Sequence, residues 1–374
     1  MDATIERIEM ATLTGTRPRP AGSNARLGVH GDSVRLPVVR LVTSDGAAGF
    51  GRSAASEERL GALLGQHMDN LVIDGAVVPE WRDVEFPLLD LAARIASLPV
   101  HALLGREPGE PLRVSAYDTS LYFDDLHLDD DAAAADLIAA EAMEGLARGH
   151  RAFKIKVGRG ARHMPLEEGT RRDIAVIRAV RDAVGPDATV MIDANNGWNL
   201  NLTKRVLTEI AAANVYWIEE AFHEDNVLYD DLKAWMAREG LPTLIADGEG
   251  AAHPHLVRWA TEGLIDLVQY DMVAYGFGAW RDLGADLDAA GVASAPHTYG
   301  NGLGHFATAQ LSGVVEGLDW VEWDEAAFAV IDPSGYVLRD GWVEVPDTPG
   351  FGLELDETAF ATPVATTGFT LAQG

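Results

Sequence analysis

The chain has no cysteine among its 374 residues, which removes disulfides, thiolate nucleophiles and thiolate-bound metals from consideration. It also lacks any apolar run approaching the ~20 residues of a membrane span. Basic residues are scarce: 29 Lys and Arg stand against 58 Asp and Glu, a formal net charge of −29. Nucleic acid and anionic membranes both demand a cationic footprint, so neither is an expected partner. Neither a basic stretch nor an apolar one follows Met1, so no secretion signal is expected and the cytoplasm is the default location. What is present is globular, 47% hydrophobic and 23% charged, and can bury a large core. A surface this acidic repels an anionic substrate at long range, so such a substrate would need a local cationic centre.

From 153 to 322, charged residues recur at the ends of apolar runs. Lys156, Asp193, Glu219, Glu249, Asp271, His297 and Glu322 succeed one another at steps of 37, 26, 30, 22, 26 and 25 residues. Each step is the length of one strand plus one helix. Strands are expected near 113–117, 152–157, 189–193, 215–219, 243–246, 265–270, 292–296 and 319–322, with seven helical stretches between them. Eight parallel strands joined by right-handed helical crossovers close into a barrel.

Residues 1–110 do not follow that rhythm. The segments 4–10 and 35–42 read as strands, Asp45-Gly46 supplies a turn before 47–51, and 57–71 and 84–104 have helical spacing. A stretch rich in Pro, Gly and Arg at 14–23 reads as a mobile loop, with an active-site lid as the alternative. After the eighth strand no ordinary helix follows, and 340–352 reads as extended or irregular chain returning to the first unit. The expected fold is α/β, a modified (β/α)7β TIM barrel over 111–325 with an α+β capping domain at 1–110 completed by the segment 326–374.

Lys154 and Lys156 are two apart on a strand, so both side chains leave the same face. Inside a barrel an unpaired ammonium is expensive, which calls for nearby acids. Asp193, Glu219 and Glu249 end three different strands and meet at one rim. Clustered anions repel unless a cation lies between them, and an oxygen-only donor set favours Mg2+, with Mn2+ as a substitute, over Zn2+. Asp271 and His297 end the sixth and seventh strands and are expected to be neighbours, the carboxylate fixing the tautomer and supporting the imidazolium. His253 and His255 read as surface residues, and the glycines from Gly300 to Gly304 as room for backbone beside His297.

Taken in order, these motifs resemble the enolase superfamily, and within it the mandelate racemase-like subgroup. The resemblance spans nearly the whole chain and rests on Asp45-Gly46 with Gly49-Phe50-Gly51, Leu103-Leu104-Gly105, Lys154-Ile155-Lys156, Asp193-Ala194-Asn195, Glu219-Glu220, Gly248-Glu249, the Asp271/His297 pair and Pro349-Gly350-Phe351-Gly352. It implies that Asp193, Glu219 and Glu249 hold Mg2+ and that Lys156 and His297 are an acid/base pair on opposite faces of the substrate, Asp271 orienting His297. Lys154 would contact the substrate carboxylate, and Glu322 would hydrogen-bond it or the intermediate; Asn195 is counted with them as substrate-binding. A small-molecule carboxylate and further copies of the chain are the expected partners. Two features depart from the family pattern: Ala221 stands where a proline usually follows the paired glutamates, and 158–170, with Arg162 and His163, reads as a long loop that would shape the pocket differently.

The implied chemistry is Mg-dependent removal of the proton alpha to a carboxylate through an enediolate. A positioned general base contributes typically ~10²–10⁴-fold, whereas enzymes accelerate by ~10⁶–10¹⁷-fold. Electrostatic stabilisation by the metal, Lys154 and Glu322 must supply much of the rest. Lys154 and the ion are also expected to depress the pKa of Lys156. The first expectation is dehydration of an acid sugar, an aldonate or aldarate, to a 2-keto-3-deoxy acid, with Arg17, Arg19, Asn24, Arg162 and His163 as donors to its hydroxyls. A racemase or epimerase of a 2-hydroxy acid, or a sugar-lactone cycloisomerase, would use the same residues. A non-catalytic binding protein would not require two opposed bases.

Overall fold

The computed structural model describes residues 3–107 and 111–373, so the expected domain boundary at 110 lies outside the described residues. Strands Arg113–Leu121, Ala152–Lys156, Thr189–Asp193, Trp217–Glu219, Leu244–Asp247, Leu267–Val268 and Ala293–Ser294 pair in parallel and in chain order. The eighth, Trp320–Trp323, pairs back onto the first. Across the remaining seam Ser294 N donates to Gly317 O at 3.0 Å and Thr298 Oγ1 to Glu322 O at 2.6 Å. The expected (β/α)7β barrel is therefore present. Its helices begin where capping chemistry allows: Asp130, Asn199 and Asp225 each accept from first-turn amides of Asp131–Arg148, Leu200–Glu209 and Asn226–Glu239.

Strand alternation divides the barrel interior into layers. Tyr117, Ala152, Met191, Trp217, Leu267 and Ala295 form a buried apolar layer with Ala246. Two residues further along each strand the inward position is polar: Thr119, Lys154, Asp193, Glu219, Gln269 and His297. Register places Lys156 opposite Asp193 and Asp193 opposite Glu219, with Lys154 one step lower beside Met191. The apolar layer closes one end, and the charged layer opens to the rim at the strands' C-terminal ends.

In the cap, β1 (Ile5–Ala21), β2 (Gly31–Thr43) and β3 (Ala48–Arg52) form an antiparallel sheet. The last strand, Phe369–Ala372, adds to the free edge of β1, whereas Trp342–Glu344, in the stretch expected to return to this unit, pairs with the first barrel strand. Helix Glu85–Ala96 packs on β3, and a Cβ at Gly49 would lie only 2.4 Å from Leu91 Cα, so only glycine permits that approach. Glu85 accepts from Phe277 N and Gly278 N at 2.7 and 2.8 Å, joining the cap helix to the start of barrel helix Phe277–Ala290.

Several expected segments differ. The stretch 14–23 is no loop through most of its length: β1 continues to Ala21, and Pro18 and Pro20 fall where its pairing with β2 lapses between Thr16 and Ala21, so their missing N–H groups break no ladder. Likewise 158–170 is ordered and short, with a 3-10 turn at Arg159–Ala161 and a helix from Leu166. Arg159 is fully buried there between Asp125 and Asp173, at 2.6 and 2.8 Å. The expected helix at 57–71 is only Glu57–Gly61 and Met68–Leu71, because Gly65 turns the chain at φ 77°.

Asp90 ties three segments of the cap together. Its Oδ2 accepts from Phe50 N at 2.9 Å and Arg94 Nε at 2.8 Å, while Oδ1 accepts from Phe351 N at 2.8 Å. Asp90→Ala leaves buried donors and one guanidinium uncompensated and is expected to destabilise the fold by roughly 3–5 kcal/mol, seen as a lower thermal midpoint. An unchanged midpoint would show that the contacts between cap helix, β3 and the 350 turn are dispensable.

Candidate active site

Lys154 is wholly buried, and its Nζ donates to Glu219 Oε1 at 2.8 Å and lies 2.8 Å from Glu322 Oε1 and 3.8 Å from Asp193 Oδ2. The face of Tyr117 lies beneath it, with the ring centroid 5.3 Å away. Burial works against this ammonium, but Glu219 and Glu322 outweigh it and hold its pKa well above the usual lysine value. Glu322 in turn accepts from Thr119 Oγ1 at 2.6 Å and from the amides of Thr298 and Tyr299 at 2.6 and 2.9 Å. Burial disfavours its charge, yet Lys154 and His297 keep it ionised far below the usual carboxylate range. Thr119, which donates to Glu322, and Gln269, which donates to Glu219 at 2.9 Å, were not foreseen. Their inward strand positions were the available signal.

Lys156 Nζ donates to Asp193 Oδ2, and the side chain lines the cleft above. Burial favours its neutral amine, but the Asp193 carboxylate outweighs that, and its pKa is raised. The depression expected from the sequence belongs to the site with its cation bound, where the ion would take up the charge of Asp193. Lys154 does push downward as foreseen, but Asp193 pushes harder.

Asp193, Glu219 and Glu249 offer oxygens within 4.8 Å of one another. Glu249 Oε2 is buried without a hydrogen-bond donor. Burial, with Asp193 nearby, pushes Glu219 up to about 7. Glu220, behind it, is pushed up to about 9 by burial and then by Glu249 and Asp193. Such crowding of carboxyl groups fits a hard divalent cation, and the all-oxygen donor set matches Mg2+. Asn195 Nδ2 donates to Glu220 Oε2 at 3.0 Å, and its contacts lie within this acidic group.

His297 and Asp271 pair as expected, with Nδ1 to Oδ1 at 2.7 Å and a backbone bridge between the two residues. Since a carboxylate accepts, Nδ1 carries the proton and Nε2 is left facing Glu249 and Glu322, each at 3.6 Å. Burial opposes the imidazolium, but Glu249, Glu322 and the Asp271 bond raise its pKa to about 10.

Above these groups lies a cleft of about 280 Å³, bounded on the barrel side by Lys156, Glu249 and His297. The cap contributes Arg17, Asn24 and His30. Lys154, Glu322 and Asn195 are not among its lining residues; they lie in the buried layer below. Of the expected donors, Arg17 and Asn24 reach the cleft wall, Arg17 with its guanidinium already held on Asp324 at 2.7 and 2.8 Å. Arg19 is spent on Glu141 and Asp124, at 2.7 and 3.1 Å. Arg162 and His163 bond the backbone carbonyls of Arg26 and Asn24, so they brace the 22–30 loop and do not line the cleft. His30, Tyr122 and Tyr299 also line it and were not foreseen, because nothing local marks them. A larger hollow of about 530 Å³ at the opposite end of the barrel, beside Arg113, Tyr216 and Trp342, is faced by no metal-binding group among the described residues.

A second set of possible ligands, Asp118, His150 and Glu325, stands elsewhere, but Arg148 lies 2.8 Å from Glu325 and 3.4 Å from Asp118 and already supplies positive charge. The two groups make opposite predictions. Calorimetric titration with Mg2+ is expected to show one ion per chain, bound at least about tenfold more weakly by Asp193→Asn or Glu249→Gln, whereas Asp118→Asn leaves the affinity unchanged. Unaltered binding by the first two variants would remove these carboxylates from the metal site.

The family model described as enolase C-terminal domain-like matches residues 137–359. Among solved structures, galacturonate dehydratase from Geobacillus sp., complexed with D-galacturonate and 5-keto-4-deoxy-D-galacturonate, is 46% identical, covers 99% of each chain and superposes with a TM-score of 0.95. A mandelate racemase/muconate lactonizing protein from Geobacillus sp. Y412MC10, complexed with magnesium and tartrate, is also 46% identical, covering 100% of this chain and 98% of that one at a TM-score of 0.97. D-galactarolactone cycloisomerase of Agrobacterium fabrum is 27% identical over 331 residues, 83% of this chain and 80% of that protein. With a family model spanning more than half its length and such likeness end to end, this chain belongs to the enolase C-terminal domain-like family, as a mandelate racemase-like member.

Proposed function

We propose that this protein is a Mg-dependent acid sugar dehydratase. The observation that carries the proposal is the meeting, in one cleft, of Lys156 and the His297–Asp271 pair beside the Asp193, Glu219 and Glu249 carboxylates. Those three residues would hold Mg2+, in keeping with the magnesium bound by the tartrate-complexed relative. When bound, the ion supplies positive charge against which a substrate carboxylate can accept the electrons released at its alpha carbon.

In this reading Lys156 takes the alpha proton onto Nζ. That role requires Asp193 to release the ammonium it now holds, since only the neutral amine is a base. His297, its imidazolium supported by Asp271, gives its Nε2 proton to the hydroxyl on the next carbon. The C–H electron pair becomes a carbon–carbon double bond as the C–O bond breaks, water leaves, and the resulting enol tautomerises to a 2-keto acid. Asp271 keeps His297 in the tautomer that presents Nε2 to the cleft. Lys154 and Glu322, fixed on one another, form the charged floor beneath the reacting atoms; direct contact of Lys154, Glu322 or Asn195 with substrate remains part of the proposal. In this proposal the barrel of 111–325 carries proton transfer, and the cap of 1–110, completed by the 326–374 segment, walls the cleft through Arg17, Asn24 and His30.

For substrate we propose a hexuronate such as D-galacturonate ahead of the aldonates and aldarates expected from the sequence. Support comes from the relative complexed with that sugar and with its 5-keto-4-deoxy counterpart. Counted from the carboxylate, that pair differs by the dehydration just described. The cycloisomerase relative keeps lactone isomerisation as the alternative. Incubation of the Mg-loaded protein with D-galacturonate, a panel of aldonates and aldarates and a sugar lactone is expected to give a semicarbazide-reactive 2-keto acid, one water lighter than its substrate. An alpha epimer or an opened lactone as sole product, of unchanged mass, would assign racemase or cycloisomerase instead.

A further inference from the structure

His30 ends the 22–30 connection between β1 and β2 and lines the cleft across from Lys156 and His297. Its backbone amide is bonded to Ala21 O and Gly22 O, and its ring Nδ1 lies 3.0 Å from Gly22 O. A carbonyl can only accept, so the proton sits on Nδ1 and the neutral ring presents a lone pair at Nε2. Burial above all, with Lys156 and Arg17 nearby, lowers the pKa of this histidine and keeps the ring neutral. The ring is fixed by Tyr122 at 4.8 Å and Tyr299 at 6.1 Å between centroids. Among the described residues no donor meets Nε2, and on the same wall the Tyr299 hydroxyl is buried without a partner. The nearby Arg17 is committed to Asp324. This wall therefore offers an acceptor and a hydroxyl.

We propose that His30 determines specificity by accepting, at Nε2, a hydrogen bond from the C2 or C3 hydroxyl of a hexuronate, on the half of the sugar acid remote from its carboxylate. The inference rests on the acid sugar reading and adds to it a residue outside the barrel machinery. The tautomer excludes His30 as a proton donor at Nε2, so its contribution is recognition of a donor, which an analogue lacking that hydroxyl cannot satisfy.

The test compares wild type, His30→Phe, which keeps a stacked ring without the acceptor, and His30→Gln, which restores a carbonyl acceptor. Each is assayed with D-galacturonate and its 2-deoxy and 3-deoxy analogues. His30→Phe is expected to lose roughly 10- to 100-fold in kcat/KM for D-galacturonate, mainly through KM, and nothing for one of the deoxy analogues, with partial recovery in His30→Gln. An equal loss on all three sugars would mark a merely structural role, and no loss would remove His30 from recognition; either result overturns the proposal. Calorimetric binding of D-galacturonate to Mg-loaded Lys156→Ala protein, with and without His30→Phe, separates this from the catalytic reading. Binding weakened by His30→Phe while wild type dehydrates nothing would sink the dehydratase and keep the His30 role. No binding at all would sink both.

Discussion

Two lysine ammonium groups inside the barrel, Lys154 and Lys156, dictate what may surround them. Moving such a charge out of water costs several kcal/mol even after relaxation, and here the cost is offset only by carboxylates in contact. Lys154 meets Glu219 and Glu322, and Lys156 meets Asp193. Each acid is itself buried, so neither partner of a pair can be removed without stranding the other. The outcome is a layer of charge whose geometry is set by strand register and cannot relax into solvent. A site that stabilises charge developing during a reaction needs that kind of fixed polarity.

The same constraint explains the division between barrel and cap. Below the charged layer the barrel is closed by Tyr117, Met191, Trp217 and their neighbours, so the one open direction is toward the strand C-termini. There the cap supplies the opposite wall, and it is anchored by polar links: Arg17 to Asp324, and Glu85 to the amides of Phe277 and Gly278. The net charge of −29 is no obstacle at this scale. Long-range repulsion is screened beyond about 8–10 Å at ordinary salt, whereas the lysines act within a few ångströms.

Much of the barrel was legible in the sequence because its polar residues sit at strand ends, one per repeat, and parallel strands in register bring those ends together. Asp193, Glu219, Glu249, Asp271 and His297 were found that way, and the structure brings them to one rim. Alternation could also have exposed Thr119 and Gln269, each two residues past an inward apolar position. The 14–23 stretch was misread because prolines usually end strands, and nothing local reveals that Pro18 and Pro20 fall where β1 is unpaired. The 158–170 segment looked long because Arg159 draws its order from the remote acid Asp125 as well as Asp173. His30 could not be found from spacing at all, since its place in the cleft depends on how the cap folds over a barrel more than 80 residues away in sequence.

Deuterium exchange at the alpha carbon tests the central claim, that Lys156 removes the proton and His297 serves the leaving hydroxyl. Mg-loaded wild type, Lys156→Ala and His297→Asn, each first shown to be folded, would be held with D-galacturonate in D2O and followed by NMR. Expected is incorporation of deuterium by His297→Asn without net dehydration, and neither exchange nor dehydration by Lys156→Ala. Exchange by Lys156→Ala at the wild-type rate would contradict the assignment and move the base elsewhere in the cleft.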